Sequence, residues 1–199
     1  MKFKALALAS MVALITTISN VSADYGTAHI MIGKNGNGPS FQYWLDSSIS
    51  SYGYNDAISI SRTNWSQPSC SNANLWEISD ASKAQIKYYV VDGKYGPGEY
   101  GYADYYKRNT NGSLSIVTVA SVRSGTNFDV ARIELENKNI NPLGYAQKVK
   151  TTGHETGHAL SLDHFNNSPA HSGDHWMKAG AINLTAPTST DTDHLCQKW

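Results

Sequence analysis

Three of the chain's seven histidines and one glutamate fall in a single short run, His154-Glu155-Thr156-Gly157-His158-Ala159-Leu160-Ser161-Leu162-Asp163-His164. On a helix, His154 and His158 stand one turn apart on one face, so both imidazoles can reach the same ion. Neutral imidazole is a good ligand for zinc, and the backbone positions the pair in advance. Glu155 is adjacent, angled so that its carboxylate can reach a water molecule at the ion. Zinc brings the pKa of such a water down to around 7, and the carboxylate would accept its proton as it attacks a carbonyl. Catalytic zinc sites use three protein ligands and leave one position open. His164, six residues after His158, is the candidate third ligand, provided that the helix ends near Ser161 and the chain turns sharply back. Asp163 and His171 are fallback third ligands. Two plainer readings stand beside this one: histidines that align by chance, and a purely structural zinc. Structural sites usually fill all four positions, favour cysteine and have no use for Glu155.

The elements that must position these residues can be read from apolar spacing. Asn141-Pro142 opens a helical stretch through about Ser161, in which Ala146, Val149, Gly153, Gly157 and Leu160 make one packing face. Gly153 and Gly157 cost about 1 kcal/mol each against alanine, a cost expected where helix and sheet approach closely. Strands are expected at Phe41–Leu45, Ile86–Val91, Tyr100–Tyr106, Leu114–Val122 and Val130–Leu135. A loosely helical segment runs from Ser47 to Trp65, with Tyr54, Ile58 and Trp65 as buried positions. A final helix begins at Thr190 as cap, with Asp191 and Asp193 in its first turn. Strands come first and helices concentrate late, which gives one α+β domain.

The chain has 199 residues, 16 Lys+Arg against 16 Asp+Glu, and zero formal net charge. That is one ordinary domain's worth of chain. The balance removes the usual argument for nucleic acid or an anionic membrane, since both need a basic excess. Hydrophobic residues at 40% suffice for a core, and only 16% are charged, an extracellular type of surface. Residues 1–23 read as a signal peptide. Lys2 and Lys4 precede an apolar stretch from Ala5 to about Ile18, and Val21-Ser22-Ala23 offers small residues at the cleavage positions. The stretch is shorter than the roughly 20 residues of a membrane span; an uncleaved anchor is the alternative. Cleavage removes two lysines of the 16 basic residues, leaving 14 against 16 acidic ones in a secreted domain over 24–199. Cys70 and Cys196 form an even count that favours a disulfide in an oxidising compartment, with two free thiols as the alternative.

The run from His154 to His164 resembles the elongated zinc-binding motif of the metzincin metalloproteases, His-Glu-x-x-His-x-x-Gly-x-x-His. Trp176-Met177, thirteen residues after His164, is similar to that clan's Met-turn. Within the clan the chain is most similar to bacterial matrixin-like secreted proteases. The likeness runs over about Tyr100 to Trp199, through the Tyr100–Tyr106 strand, the segment before the zinc helix and the closing Asp193-His194-Leu195 helix. It departs from the family at Ser161, where the family has glycine; a left-handed non-glycine residue costs on the order of 1–2 kcal/mol. Gln67-Pro68-Ser69-Cys70 does not match the family's cysteine-switch sequence, and Ala179 stands where some metzincins carry a tyrosine metal ligand.

This resemblance implies a mixed five-stranded sheet with Tyr100–Tyr106 as its edge, an active-site helix, and a small C-terminal subdomain with the Met-turn and final helix. The upper subdomain would span about 24–164 and the lower about 165–199. An extended substrate would pair with the edge strand, and Lys178 to about Pro187 would wall the pocket after the cut bond. It implies a monomeric, secreted zinc endopeptidase acting on proteins or peptides, with one catalytic zinc on His154, His158 and His164 and Glu155 as general base. Matrixins often bind calcium, for which Asp92, Asp104 and Asp129 are candidate ligands. His29, His171, His175 and His194 are expected at the surface or in local hydrogen bonds. The rival functions are a secreted peptide-binding protein on an inactive scaffold of this kind, and a zinc hydrolase of another clan with a distant glutamate as third ligand.

Overall fold

The computed structural model describes residues 27–199, so the signal segment read at residues 1–23 lies outside the described residues. In chain order the elements are β1 (Ser40–Leu45), α1 (Ser47–Ser51), α2 (Asn55–Ser66), β2 (Asn74–Glu77), β3 (Ile86–Val91), β4 (Gly101–Arg108), β5 (Leu114–Val117), α3 (Val119–Arg123), β6 (Val130–Glu136), α4 (Asn137–Ile140), α5 (Tyr145–Ala159) and α6 (Ser189–Lys198). The class is α+β. The strands form one mixed sheet in the order β2-β1-β3-β6-β4-β5. β1 runs parallel to β2 and β3, β3 is parallel to β6, and β4 is antiparallel to both β6 and β5.

The period of two along each strand decides what the sheet buries. Ile86, Tyr88 and Val90 of β3 point inward, as do Ala103 and Tyr105 of β4. Against that face lie α2 and α5. Tyr54, Ile58 and Trp65, the three positions expected inside, are all buried. Polar groups in this layer are satisfied by one another: the Tyr88 hydroxyl meets Thr156 Oγ1 (3.0 Å), Ser61 Oγ donates to the same oxygen (3.0 Å), and Trp65 Nε1 donates to the Gly153 carbonyl (2.8 Å).

The sheet has six strands where five were expected, and β4 is not its outermost strand. Gly112, at φ 81, permits the tight return that lays β5 beside β4. The pairing covers only Tyr105–Arg108 against Leu114–Val117. Residues 101–104 pair with β6 on one side and carry no strand on the other, so half of the expected edge survives where it borders the cleft described below. β5 stops at Val117, short of the expected Val122, because Thr118 Oγ1 caps α3 by accepting from Ser121 N. The helical segment from Ser47 divides in two at Tyr52 and Gly53, the latter at φ 70. The last helix is capped by Thr188, not Thr190, in a capping box with Asp191.

Cys70 and Cys196 are bonded across 126 residues, joining the loop after α2 to α6. The neighbouring chain end is fixed as well: Trp199 Nε1 donates to the Leu160 carbonyl (2.8 Å) and Lys198 Nζ to that of Met31 (2.6 Å). Among the described residues no helix is long and apolar enough to cross a membrane. Replacing both cysteines by serine removes a constraint on a long loop of the unfolded chain and is expected to lower unfolding free energy by about 2–5 kcal/mol. The measurement is a fall in the denaturation midpoint, with the m-value rising because the unfolded chain exposes more surface without the bridge.

Candidate metal centre

α5 delivers two imidazoles and the turn after it delivers the third. The helix ends in a Schellman motif: Leu162 N donates to the Gly157 carbonyl (3.0 Å) and Ser161 N to that of His158 (2.9 Å). This motif needs a left-handed residue at its penultimate position, and Ser161 supplies it at φ 68, the one non-glycine residue with positive φ among those described. The departing chain is then caught by residues 29–31. Met31 N donates to the Ser161 carbonyl (2.9 Å) and Asp163 N to that of His29 (2.8 Å). Asp163 carries a two-point ion pair with Arg123 of α3, Nε to Oδ2 at 2.5 Å and Nη2 to Oδ1 at 2.6 Å, and accepts from His164 N (2.7 Å). Burial alone would raise the Asp163 carboxyl, but these hydrogen bonds outweigh it and hold the group below the usual range. Asp163, a fallback ligand, is therefore engaged elsewhere, and His164 takes the third position.

The three Nε2 atoms lie 3.1, 3.2 and 3.0 Å apart for the pairs His154–His164, His154–His158 and His158–His164. Tetrahedral coordination at 2.0–2.1 Å places ligand nitrogens about 3.3 Å apart, so the spacing fits one ion. Two rings are oriented from behind: His154 Nδ1 donates to the Trp176 carbonyl (2.6 Å) and His158 Nδ1 to that of Leu162 (2.9 Å). Those bonds place the ring protons on Nδ1 and leave the Nε2 lone pairs facing the centre. Burial pushes the His158 imidazole down to about 3, holds His154 well below the ordinary value, and lowers His164 as well, so all three are neutral near pH 7. The triad is the single metal-capable group of histidine, cysteine and carboxylate side chains among the described residues. An all-imidazole set suits several divalent ions.

Glu155 is buried beside the triad and packs on Gly101 at the start of β4. A Cβ at position 101 would meet Glu155 Cγ at 2.7 Å and Oε1 at 2.8 Å. Burial pushes the Glu155 carboxyl up to about 8, with Lys150 pulling the other way. A divalent cation at the imidazoles would draw it back down. Beneath the helix lie Trp176 and Met177. A Cβ on Gly153 would fall 2.4 Å from the Trp176 ring and one on Gly157 2.3 Å from Met177 Sδ. The two glycines thus admit this turn, with Trp65 of α2 also near Gly157, and not the sheet as expected. Asp191 of α6 holds the turn, accepting from Trp176 N and Met177 N (both 3.0 Å).

The site opens into a cleft of about 300 Å³ between the start of β4, α5 and Ala179–Gly180. Lys150, one turn before His154, lines it while only 2% exposed, and donates from Nζ to the carbonyls of Lys178 (2.5 Å) and Gly180 (3.0 Å). Gly101, Arg123, Lys150 and Asp191 were not singled out for this site by sequence. Only Asp191 carried a signal, as a first-turn acid, and its contact with the Trp176 turn is non-local.

Other candidate ligands lie apart. Asp129 accepts from Lys107 Nζ (3.0 Å) and Arg108 N (2.9 Å), and Asp92 from Asn137 Nδ2 (3.1 Å). With Asp104 they do not converge into a group of three carboxylates among the described residues. His29, His175 and His194 are buried; His175 Nε2 and His194 Nδ1 make the expected local hydrogen bonds, to the carbonyls of Ser172 (2.7 Å) and Thr190 (2.9 Å), and with half-buried His171 these rings pack around Phe165. No protein-family model matches this chain, and no curated protein matches it.

Ser161 is fully buried in a strained conformation, and glycine adopts the same conformation without that strain. Ser161→Gly is expected to raise stability by about 1 kcal/mol, read as an increase in denaturation midpoint with metal affinity unchanged.

Proposed function

We propose that the protein is a secreted, monomeric zinc-dependent endopeptidase of the metzincin clan, most similar to bacterial matrixin-like peptidases, hydrolysing proteins or peptides. The observation that carries this reading is the convergence of three neutral imidazoles with a buried carboxylate beside them at one end of an open strand edge. His154, His158 and His164 would hold the ion. Zinc bound there supplies a Lewis acid that polarises a carbonyl group and brings the pKa of a water molecule down to about 7.

The remaining work belongs to the chain. Glu155, held against Gly101, accepts a proton from the attacking water and passes it to the leaving amine. With a cation at the imidazoles drawing its pKa back down, Glu155 is ionised and free to take that proton. Residues 101–104 of β4, unpaired on one side, offer backbone donors and acceptors to an extended peptide. Trp176-Met177 serves as the Met-turn under the triad, and Ala179–Gly180 starts the wall of the pocket. The disulfide and the amino-terminal segment support an exported protein.

Purified protein is expected to degrade unfolded casein, and a zinc chelator to stop it. Glu155→Gln is expected to lower turnover by at least about a hundredfold while metal content stays at one ion per chain. Casein hydrolysis that persisted in Glu155→Gln would remove the general base from the mechanism. A secreted peptide-binding protein would bind peptides and leave them uncut.

Gly101→Ala tests the seat of Glu155. Its methyl group must displace the carboxylate, so peptide hydrolysis is expected to fall about tenfold or more at unaltered metal content. Unchanged kcat in that variant would show that Glu155 does not need this contact.

A further inference from the structure

Lys150 is a buried cation that the chemistry above does not use. It shares the inward face of α5 with His154 and His158, at spacings of four residues, so its ammonium stands in line with the imidazoles. Two of its three donors are taken by the carbonyls of Lys178 and Gly180, which anchor the head group at the end of the cleft. Among the described residues no carboxylate lies within 4.0 Å of Nζ, and burial pushes the ammonium's pKa down to about 8, offset only in part by the more distant Glu155 and Asp191. A buried ammonium without a contacting counter-ion is unfavourable, and a chain that needed only to anchor Ala179–Gly180 could do so with a neutral donor. The other cation of the cleft, Arg123, is already paired with Asp163. Glu99 is exposed at the rim, where solvent screens it.

We propose that Lys150 is a specificity-determining residue that selects substrates placing an aspartate or glutamate side chain at its end of the cleft. A carboxylate there takes the third N–H of the ammonium in a charge-assisted hydrogen bond and supplies the missing counter-charge. A neutral amide of the same shape supplies neither. The inference rests on the cleft being a peptide site, as proposed above, and names the class of peptide.

The test uses an unstructured peptide that the protein cuts or binds, with glutamate and then glutamine placed in turn at each position flanking the cut bond or the bound segment. Cleavage is followed with the intact protein. Binding is followed by fluorescence anisotropy with the metal-loaded Glu155→Gln protein, which reports on recognition without turnover. At one position glutamate is expected to be favoured over glutamine by about tenfold or more in both readouts, and Lys150→Met to abolish the difference. If Lys150→Met does not fold, the Glu/Gln comparison in the protein with Lys150 intact decides alone. Equal cleavage and binding of the two peptides at every position overturns the proposal while leaving the peptidase reading in place. Selective binding without any cleavage supports the role of Lys150 and removes the peptidase reading. Failure to bind or cut any peptide of the series overturns both.

Discussion

Three nitrogen lone pairs facing one another at hydrogen-bond distance repel unless something positive lies between them, and the protein is arranged to keep them there. The Trp176 and Leu162 carbonyls fix two rings by their outer nitrogens. The third ring is placed through its main chain, by the left-handed Ser161, the grip of residues 29–31, and the side chains of Asp163 and His29 on the His164 N–H and carbonyl. Free rotation of any ring would relieve the repulsion, so the surrounding bonds must outweigh it in the absence of a cation. This is preorganisation by a rigid outer layer, in which the ligands are held ready for the ion and little ordering remains when it arrives.

The same requirement explains why the centre of α5 is built from poor helix formers. Gly153 and Gly157 forfeit roughly 1 kcal/mol each in propensity, and in exchange Trp176 and Met177 approach the helix more closely than any side chain would allow. The turn that makes this approach is itself held by Asp191, whose carboxylate also accepts from Thr188 N (2.7 Å). A fully buried carboxylate is tolerable because backbone and hydroxyl donors surround it. One acid in the first turn of α6 therefore governs the position of a carbonyl that orients His154.

Much of this was legible in the sequence, and the boundary follows physical lines. His154, His158 and Glu155 were readable because helix geometry converts spacing directly into a shared face. Strand Ile86–Val91 was readable from its β-branched and aromatic alternation. His164 was readable only as one option among three, since its reach depends on how a serine behaves at a glycine's position. The sixth strand, Asn74–Glu77, was missed because it is short and exposed at three of its four positions, and what makes it a strand is its parallel partner, β1, not its own pattern. Gly101, Arg123 and the Asp191 contact were out of reach for the same reason: each acts across distant parts of the chain, and a single sequence carries no record of such pairs.

The antiparallel bridge between Ile30 and Leu162 has a bearing on when the centre comes into being. Its two halves are more than a hundred residues apart, and contacts of such span close late because loop entropy opposes them. Helix α5 can form its two-histidine face early from local bonds, but the third imidazole waits for the amino-terminal strand segment to dock. A nascent or half-folded chain would therefore hold an ion weakly, and the full set of three imidazoles marks the completed tertiary structure. Assembly of the centre is thereby timed to the end of folding, and a partly folded chain lacks the complete three-imidazole set.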